Sequence, residues 1–383
     1  MDKNLKITKV TTIIQKGFFG NGKYYGYSNF KVIGLVKIQT NKKIEGIGES
    51  LVGVYSPSLF KINTKFISKL ILNKNIKQAF NEISNLQKNK FFFDSGILKS
   101  INSSIELALF DILSQSRKQS LPVFFADYFK EKKIKRKIPV YASAGSILGN
   151  TKDLKKEIES SKKKGFNLFK ARISLINPNY VEKLKILKNE IDYFSIDLIS
   201  NTFEKNSNLD LIQKFIINVK NYKPIWIEEL LSKNDLHNFK EIRKAKLKFS
   251  YGENFNSVND FINLIKYYKF DYINPDISHF SIRDFSKLIK YMKKNNLKKK
   301  IIIHCWGGNI NLYNSLSFAA IFKDYIKFVE FPITDFSLNN SFLDESKILN
   351  SEYIHEDQIL KNKDLIKNNS LKIKNLENFT FNF

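Results

Sequence analysis

The chain has 383 residues, 43% of them hydrophobic, which suffices for one large domain plus a smaller one and excludes a disordered protein. Its one cysteine, Cys305, excludes an internal disulfide. The start MDKNLKITKV lacks a signal-peptide core and no run of roughly 18 apolar residues follows, so the expected compartment is the cytoplasm, with no membrane partner. The formal charge of +27 raises a nucleic-acid-binding reading, but lysine is spread through every segment beside heavy use of Asn, Ile and Phe. Solvated helix faces account for it, no nucleic-acid partner is expected, and what remains is a positive field that favours small anionic substrates.

Residues 1 to about 45 alternate apolar and polar on both sides of GFFGNGKYYGYSNF (17–30), which predicts a hairpin-like strand pair with a long glycine- and aromatic-rich loop. The loop exceeds what a turn needs, and its residues 16–30 are expected to act as a lid. Its glycines do not make a dinucleotide fingerprint, because no βαβ unit with a spaced acid follows. From about 62 to 128 the period turns helical, in segments 65–86 and 100–118. An α+β domain over 1–136 is the result.

From IPVYASAG (138–145) onward, apolar strand runs alternate with amphipathic helices. The runs are LFKARISL, FSIDL, IWIEE, FSYGE, YINPD, KIIIHC and FVEF, and helical patterns fill the gaps between them. Eight strands with intervening helices, repeating every ~25 to 30 residues, predict a (β/α)₈ barrel over 137–354. The tail, about 355–383, is expected to return to the first domain and to contribute an edge strand from FTFNF.

Short apolar runs bounded by polar residues fit strands covered on both faces, so charged residues in them belong at the C-terminal tips, where barrel chemistry sits. Those tips carry Lys170 and Arg172, then Asp197, Glu228, Glu253, Asp276, His304 and Glu330. Asp197, Glu228 and Glu253 lie on consecutive strands. Their mutual repulsion is tolerable with a hard divalent cation between them, and Mg²⁺ is the expected cofactor.

The motifs SIELALFDI (104–112), LPVFFADY (121–128), IPVYAS (138–143) and FKAR (169–172), then ID, IEE, GEN, NPD, HCWGG and FVEFP, come in an order that resembles the enolase superfamily and its mandelate racemase branch. The resemblance implies an α+β capping domain over the barrel mouth, Mg²⁺ on Asp197, Glu228 and Glu253, a dyad of Asp276 and His304, and Glu330 as an acid beside a substrate carboxylate. It also implies a homo-oligomer. Members set a Lys or His base with Mg²⁺ against an ene-diolate.

The chain departs from that pattern at four places. Ile199 stands where Asn follows the metal Asp, Leu230 replaces a Pro, and Gly-Gly is missing near His279 and Phe280. Arg172 replaces the second lysine of Lys-x-Lys, the base of the family pattern. A guanidinium is a poor general base, so His304 becomes the expected base and Arg172 a cationic substrate ligand. The activity this implies is α-proton abstraction from a carboxylate, with dehydration of a sugar acid to a 2-keto-3-deoxy acid as the main expectation. Racemisation and lactone cycloisomerisation are the alternatives. Mg²⁺, Lys170 and a protonated Glu330 are expected to stabilise the enediolate.

Overall fold

Period-two apolar runs at the start of the chain pair as expected, and a third strand joins them. In a computed structural model, which describes residues 4–18, 30–89, 96–145, 149–177, 179–202, 208–334 and 347–355, β1 (Ile7–Phe18), β2 (Phe30–Thr40) and β3 (Glu45–Ser50) form one antiparallel sheet in that order. The segment 65–86 is two helices, Pro57–Ile71 and Ile76–Lys88, because Asn73 takes a left-handed conformation and Asn75 caps the second helix through a reciprocal bond with Gln78. A long helix, Gly96–Ser116, crosses the sheet, and Leu121–Phe129 follows it. The expected lid lies outside the described residues apart from its flanks, and the tail beyond residue 355 lies wholly outside them.

Eight parallel strands then close into a barrel: β4 (Lys137–Ala144), β5 (Leu168–Arg172), β6 (Tyr193–Asp197), β7 (Ile227–Glu228), β8 (Phe249–Tyr251), β9 (Tyr272–Ile273), β10 (Ile301–Ile303) and β11 (Ile326–Pro332). Each pairs with the next, and β11 pairs back to β4 through Val329–Val140 and Glu330–Tyr141. The helical pattern between β7 and β8 forms only a short α-turn, Phe239–Ile242, flanked by 3₁₀ turns. After β11 the described residues form a small hairpin, β12 (Ile348–Leu349) with β13 (Glu352–Ile354), and β13 pairs antiparallel with Lys137–Pro139 at the start of β4. Among the described residues no helix is long and apolar enough to cross a membrane.

Side chains alternate along a strand, so a tip residue shares its face with the residue two before it. Beneath the polar tips lie Tyr141, Leu168, Trp226, Tyr272 and Ile302, all buried, with Phe328 packed on them. Trp226 stacks on Phe328 at 5.7 Å and meets Tyr141 edge-on at 5.2 Å. This plug fills the barrel and forms the floor of whatever site the tips compose.

The cap is closely packed within itself and is tied to the barrel by polar bonds. A Cβ on Gly48 of β3 would lie 1.8 Å from the Ser104 carbonyl oxygen, and one on Gly46 would lie 2.1 Å from that of Ala108, so the sheet approaches the long helix backbone to backbone. The same helix grips the barrel. Ser281 Oγ and the Arg283 amide donate to Glu106, at 2.8 and 3.0 Å, and buried Lys99 pairs with Asp284 at 2.9 Å.

Gly48→Ala is therefore expected to destabilise the protein by about 1 to 3 kcal/mol or more through overpacking. Denaturant unfolding measures it, and an unchanged midpoint would show that sheet and helix are not this close.

Candidate active site

Alternation places the tip residues on the barrel's inner face. Lys170 and Arg172 follow Leu168, Glu228 follows Trp226, His304 follows Ile302 and Glu330 follows Phe328, each at a two-residue step above the plug. Backbone turns then fix the loops. Gly252, with φ +123°, turns the chain into Glu253, while Ile199 (φ +40°) and Glu229 (φ +46°) are left-handed without being glycine. For β-branched Ile199 this is a strained position, on the order of 1 to 3 kcal/mol, two residues after Asp197 at the end of β6.

The three expected cation ligands are brought together: carboxylate oxygens of Asp197, Glu228 and Glu253 all lie within 4.8 Å of one another. Glu228 is fully buried, with Trp226 Nε1 donating to it at 3.0 Å, Asn274 Nδ2 at 3.3 Å and Ser250 Oγ at 3.4 Å. Lys170 Nζ sits 2.5 Å from Glu228, 3.2 Å from Glu330 and 3.6 Å from Asp197. Burial works against the charge on Lys170, but Glu228 and Glu330 hold its pKa well above the ordinary lysine value. One ammonium does not balance the cluster. Burial, with Asp197 and Glu228 alongside, pushes Glu253 up to about 7 despite the neighbouring His304, and burial likewise raises Glu228. A set of oxygen donors crowded beyond what its built-in cation neutralises fits a hard divalent ion such as Mg²⁺.

Across the mouth, His304 Nδ1 meets Asp276 Oδ2 at 2.7 Å, and His304 Nε2 faces Glu253 at 3.2 Å and Glu330 at 3.8 Å. Asp276 Oδ1 accepts from the Ser278 amide (2.8 Å), Ser278 Oγ (2.6 Å) and Asn311 Nδ2 (3.1 Å). Burial would raise Asp276, yet its bond to His304 holds it below the usual carboxylate range. Burial opposes the His304 charge too, but Glu253, Glu330 and Asp276 lift it to about 10. Arg172 donates to the Ala144 carbonyl at 3.2 Å and lies over the Trp306 ring at 5.0 Å, with Asp197 and Glu330 each 3.8 Å away. A cleft lined by Tyr55, Arg172, Asp197, Ile199, Glu253, His304 and Trp306 opens above them.

The expectation of a protonated Glu330 does not survive this arrangement. Burial would favour the neutral acid, but Lys170, His304 and Arg172 hold it down to about 2, and the Cys305 amide donates to it at 3.1 Å. The missing Asn at 199 is made good from further along: Asn201 Nδ2 donates to Glu229 at 2.6 Å and to Tyr251 Oη at 2.8 Å. Sequence reasoning also missed Glu49 and Lys31 of the capping domain. Glu49 accepts from the amides of Gly308 and Asn311, and Lys31 donates to the carbonyls of Trp306 and Gly307. Burial pushes Glu49 up to about 7. A buried acid at the end of EGIGES was the available signal.

Fold and site together define a class first, a (β/α)₈-barrel enzyme with acid–base groups at the C-terminal mouth. The family model described as enolase C-terminal domain-like matches residues 153–359, more than half of the chain, and the chain belongs to that family, in the mandelate racemase-like branch of the enolase superfamily. A search of the curated proteins finds no match. Among solved structures the chain is similar to the 3,6-anhydro-D-galactonate cycloisomerase from Zobellia galactanivorans, at TM-score 0.75 and 19% identity over 92% of this chain and 95% of that one. It is similar to a racemase from Streptomyces coelicolor A3(2) with bound magnesium, at TM-score 0.72 and 16% identity over 92% and 95% of the two chains. An enolase from Sargasso Sea environmental sequencing aligns at TM-score 0.71 and 25% identity, over 86% of each chain.

Because Glu253 sits near 7 and His304 near 10, a divalent cation among the acids should expel at least one proton on binding near neutral pH. Calorimetry in buffers of different ionisation enthalpy should show Mg²⁺ affinity rising from about pH 6 to 8, and Glu228→Gln should weaken binding severely. Affinity that ignores both pH and the substitution would remove the cation from these ligands.

Proposed function

We propose that the protein abstracts the α-proton of a small sugar-acid carboxylate, with Mg²⁺ held by Asp197, Glu228 and Glu253, and dehydrates it to a 2-keto-3-deoxy acid. The observation that supports this best is the asymmetry of the acid–base groups. His304 has Asp276 on Nδ1 at 2.7 Å and presents Nε2 to the cleft, whereas the family's second base position holds Arg172.

Bound Mg²⁺ would supply Lewis-acid stabilisation of the charge that develops on the substrate carboxylate. The remaining work falls to the chain. Lys170, kept charged by Glu228 and Glu330, places an ammonium beside the same oxygens. Asp276 fixes the imidazole so that Nε2 is the atom that takes the α-proton. His304 is held near 10 by the surrounding acids, and would move toward its neutral, basic form once Asp197, Glu228 and Glu253 share their charge with a bound cation. The imidazolium then returns the proton to the β-hydroxyl on its own face. The C–O bond breaks, water leaves, and the enol becomes the 2-keto acid. Arg172, backed by the Trp306 ring, offers a fixed guanidinium to a further anionic or hydroxyl group of the substrate. A racemase needs competent bases on both faces, which Arg172 does not provide. A lactone cycloisomerase needs only the single base and is distinguished by its product.

A library of mono- and diacid sugars screened with Mg²⁺ for 2-keto acid formation identifies the substrate. With that substrate in D₂O, His304→Asn should lose ~10² to 10⁴-fold in rate and abolish exchange at the α-carbon. Arg172→Lys should chiefly raise KM, because a fork is replaced by a point charge. Exchange that persists in His304→Asn and vanishes in an Arg172 variant that still binds substrate would move the base to β5.

A further inference from the structure

We propose that Glu49, a capping-domain residue, is a positioning residue for the reaction, holding the His304–Asp276 dyad in register through Asn311. The helix Asn309–Phe322 begins with Gly308 at its N-cap, which has no side chain to satisfy the first amides. Glu49 supplies that cap from the other domain. One carboxylate oxygen accepts from the Gly308 amide at 2.5 Å and the other from the Asn311 amide at 3.0 Å. The position suits an anion, because two orphan donors and the positive end of the helix converge on it.

The sequence around it is cut to admit that carboxylate. A Cβ on Gly307 would lie 2.3 Å from Glu49 Oε1, so the glycine after Trp306 is what lets the acid reach the helix. Lys31, also buried, holds the Trp306 and Gly307 carbonyls of the same turn. The loop from His304 to Asn311 is thus tied to the cap at both its amides and its carbonyls.

From there the link runs to the chemistry. Asn311 is wholly buried, and with its backbone amide held by Glu49 its side-chain Nδ2 donates to Asp276 Oδ1 at 3.1 Å. That donor, with Ser278, saturates Oδ1 and leaves Oδ2 aimed at His304 Nδ1. Partners that orient a liganding or catalytic group in this way typically matter 10- to 100-fold when lost. Glu49 does not line the cleft, and Asn311 is the hydrogen-bonded route from it to Asp276.

The inference rests on His304 being the base, and its test reads His304 without substrate. In protein labelled with ¹⁵N-histidine, at about pH 8 so that Glu49 is ionised, the dyad should give a hydrogen-bonded downfield Nδ1 proton, assigned by its absence in His304→Asn. Glu49→Gln should weaken or abolish that signal and lower kcat about tenfold, with KM within about twofold and Mg²⁺ affinity unchanged. Asn311→Ser tests the same link from the barrel side and leaves the domain docking intact; it should reproduce both effects, and the double variant should add little to either. A wild-type His304 signal in Asn311→Ser, whatever Glu49→Gln does, would overturn the proposal and make Glu49 a domain clamp alone. A lost signal with no activity on any sugar acid would support the link while rejecting the assigned reaction.

Discussion

Like-charge crowding at the mouth of the barrel sets the terms for everything else in the structure. Asp197, Glu228, Glu253, Asp276 and Glu330 crowd around Lys170, Arg172 and His304, nearly all of them buried. Charge taken out of water must be paired or coordinated, so this collection persists only because each member has a counter-charge or donor and because three of them can share a cation. The aromatic plug beneath keeps water from entering below. The electrostatics and the packing therefore make one object, with Trp226 serving both as it fills the barrel and donates to Glu228.

The capping domain does more than cover the mouth. Its long helix holds the loop after β9, where Ser100 meets the Ser278 carbonyl and Glu106 binds Ser281, with the Leu51 amide just past β3 donating to the same carbonyl, while β2 and β3 hold the loop after β10 through Lys31 and Glu49. Those two loops carry Asp276 and His304. The cap thus contacts both loops that carry the acid–base pair. Glycine backbones let the cap's sheet and helix pack closely on each other, and the side chains of Lys31, Glu49, Lys99 and Glu106 tie that unit to the barrel.

The barrel and its tip residues were legible because buried parallel strands read as apolar runs and polar tips break them at a fixed place. Lys170, Arg172, Asp197, Glu228, Glu253, Asp276, His304 and Glu330 all fall where that pattern puts them. The third strand of the cap was not legible, since EGIGES buries glycines and an acid where an alternation of apolar residues would have marked it. Glu49 was hidden for a second reason: its partners are backbone amides more than 250 residues away, and no side-chain pattern records them. The charge on Glu330 likewise depends on three cations from two other strands, Lys170 and Arg172 of β5 and His304 after β10. His355 is buried against Ser317 and Tyr313, just past a strand whose pairing with β4 has no local signature in the sequence.

The proposed chemistry requires that Asp197, Glu228 and Glu253 hold one divalent cation at the barrel mouth. Crystals soaked in Mn²⁺ and measured for anomalous scattering address it most directly. One strong peak is expected, bounded by oxygens of Asp197, Glu228 and Glu253, at distances of about 2.0 to 2.3 Å. No peak there, with Lys170 still seated among the acids at saturating Mn²⁺, would contradict it.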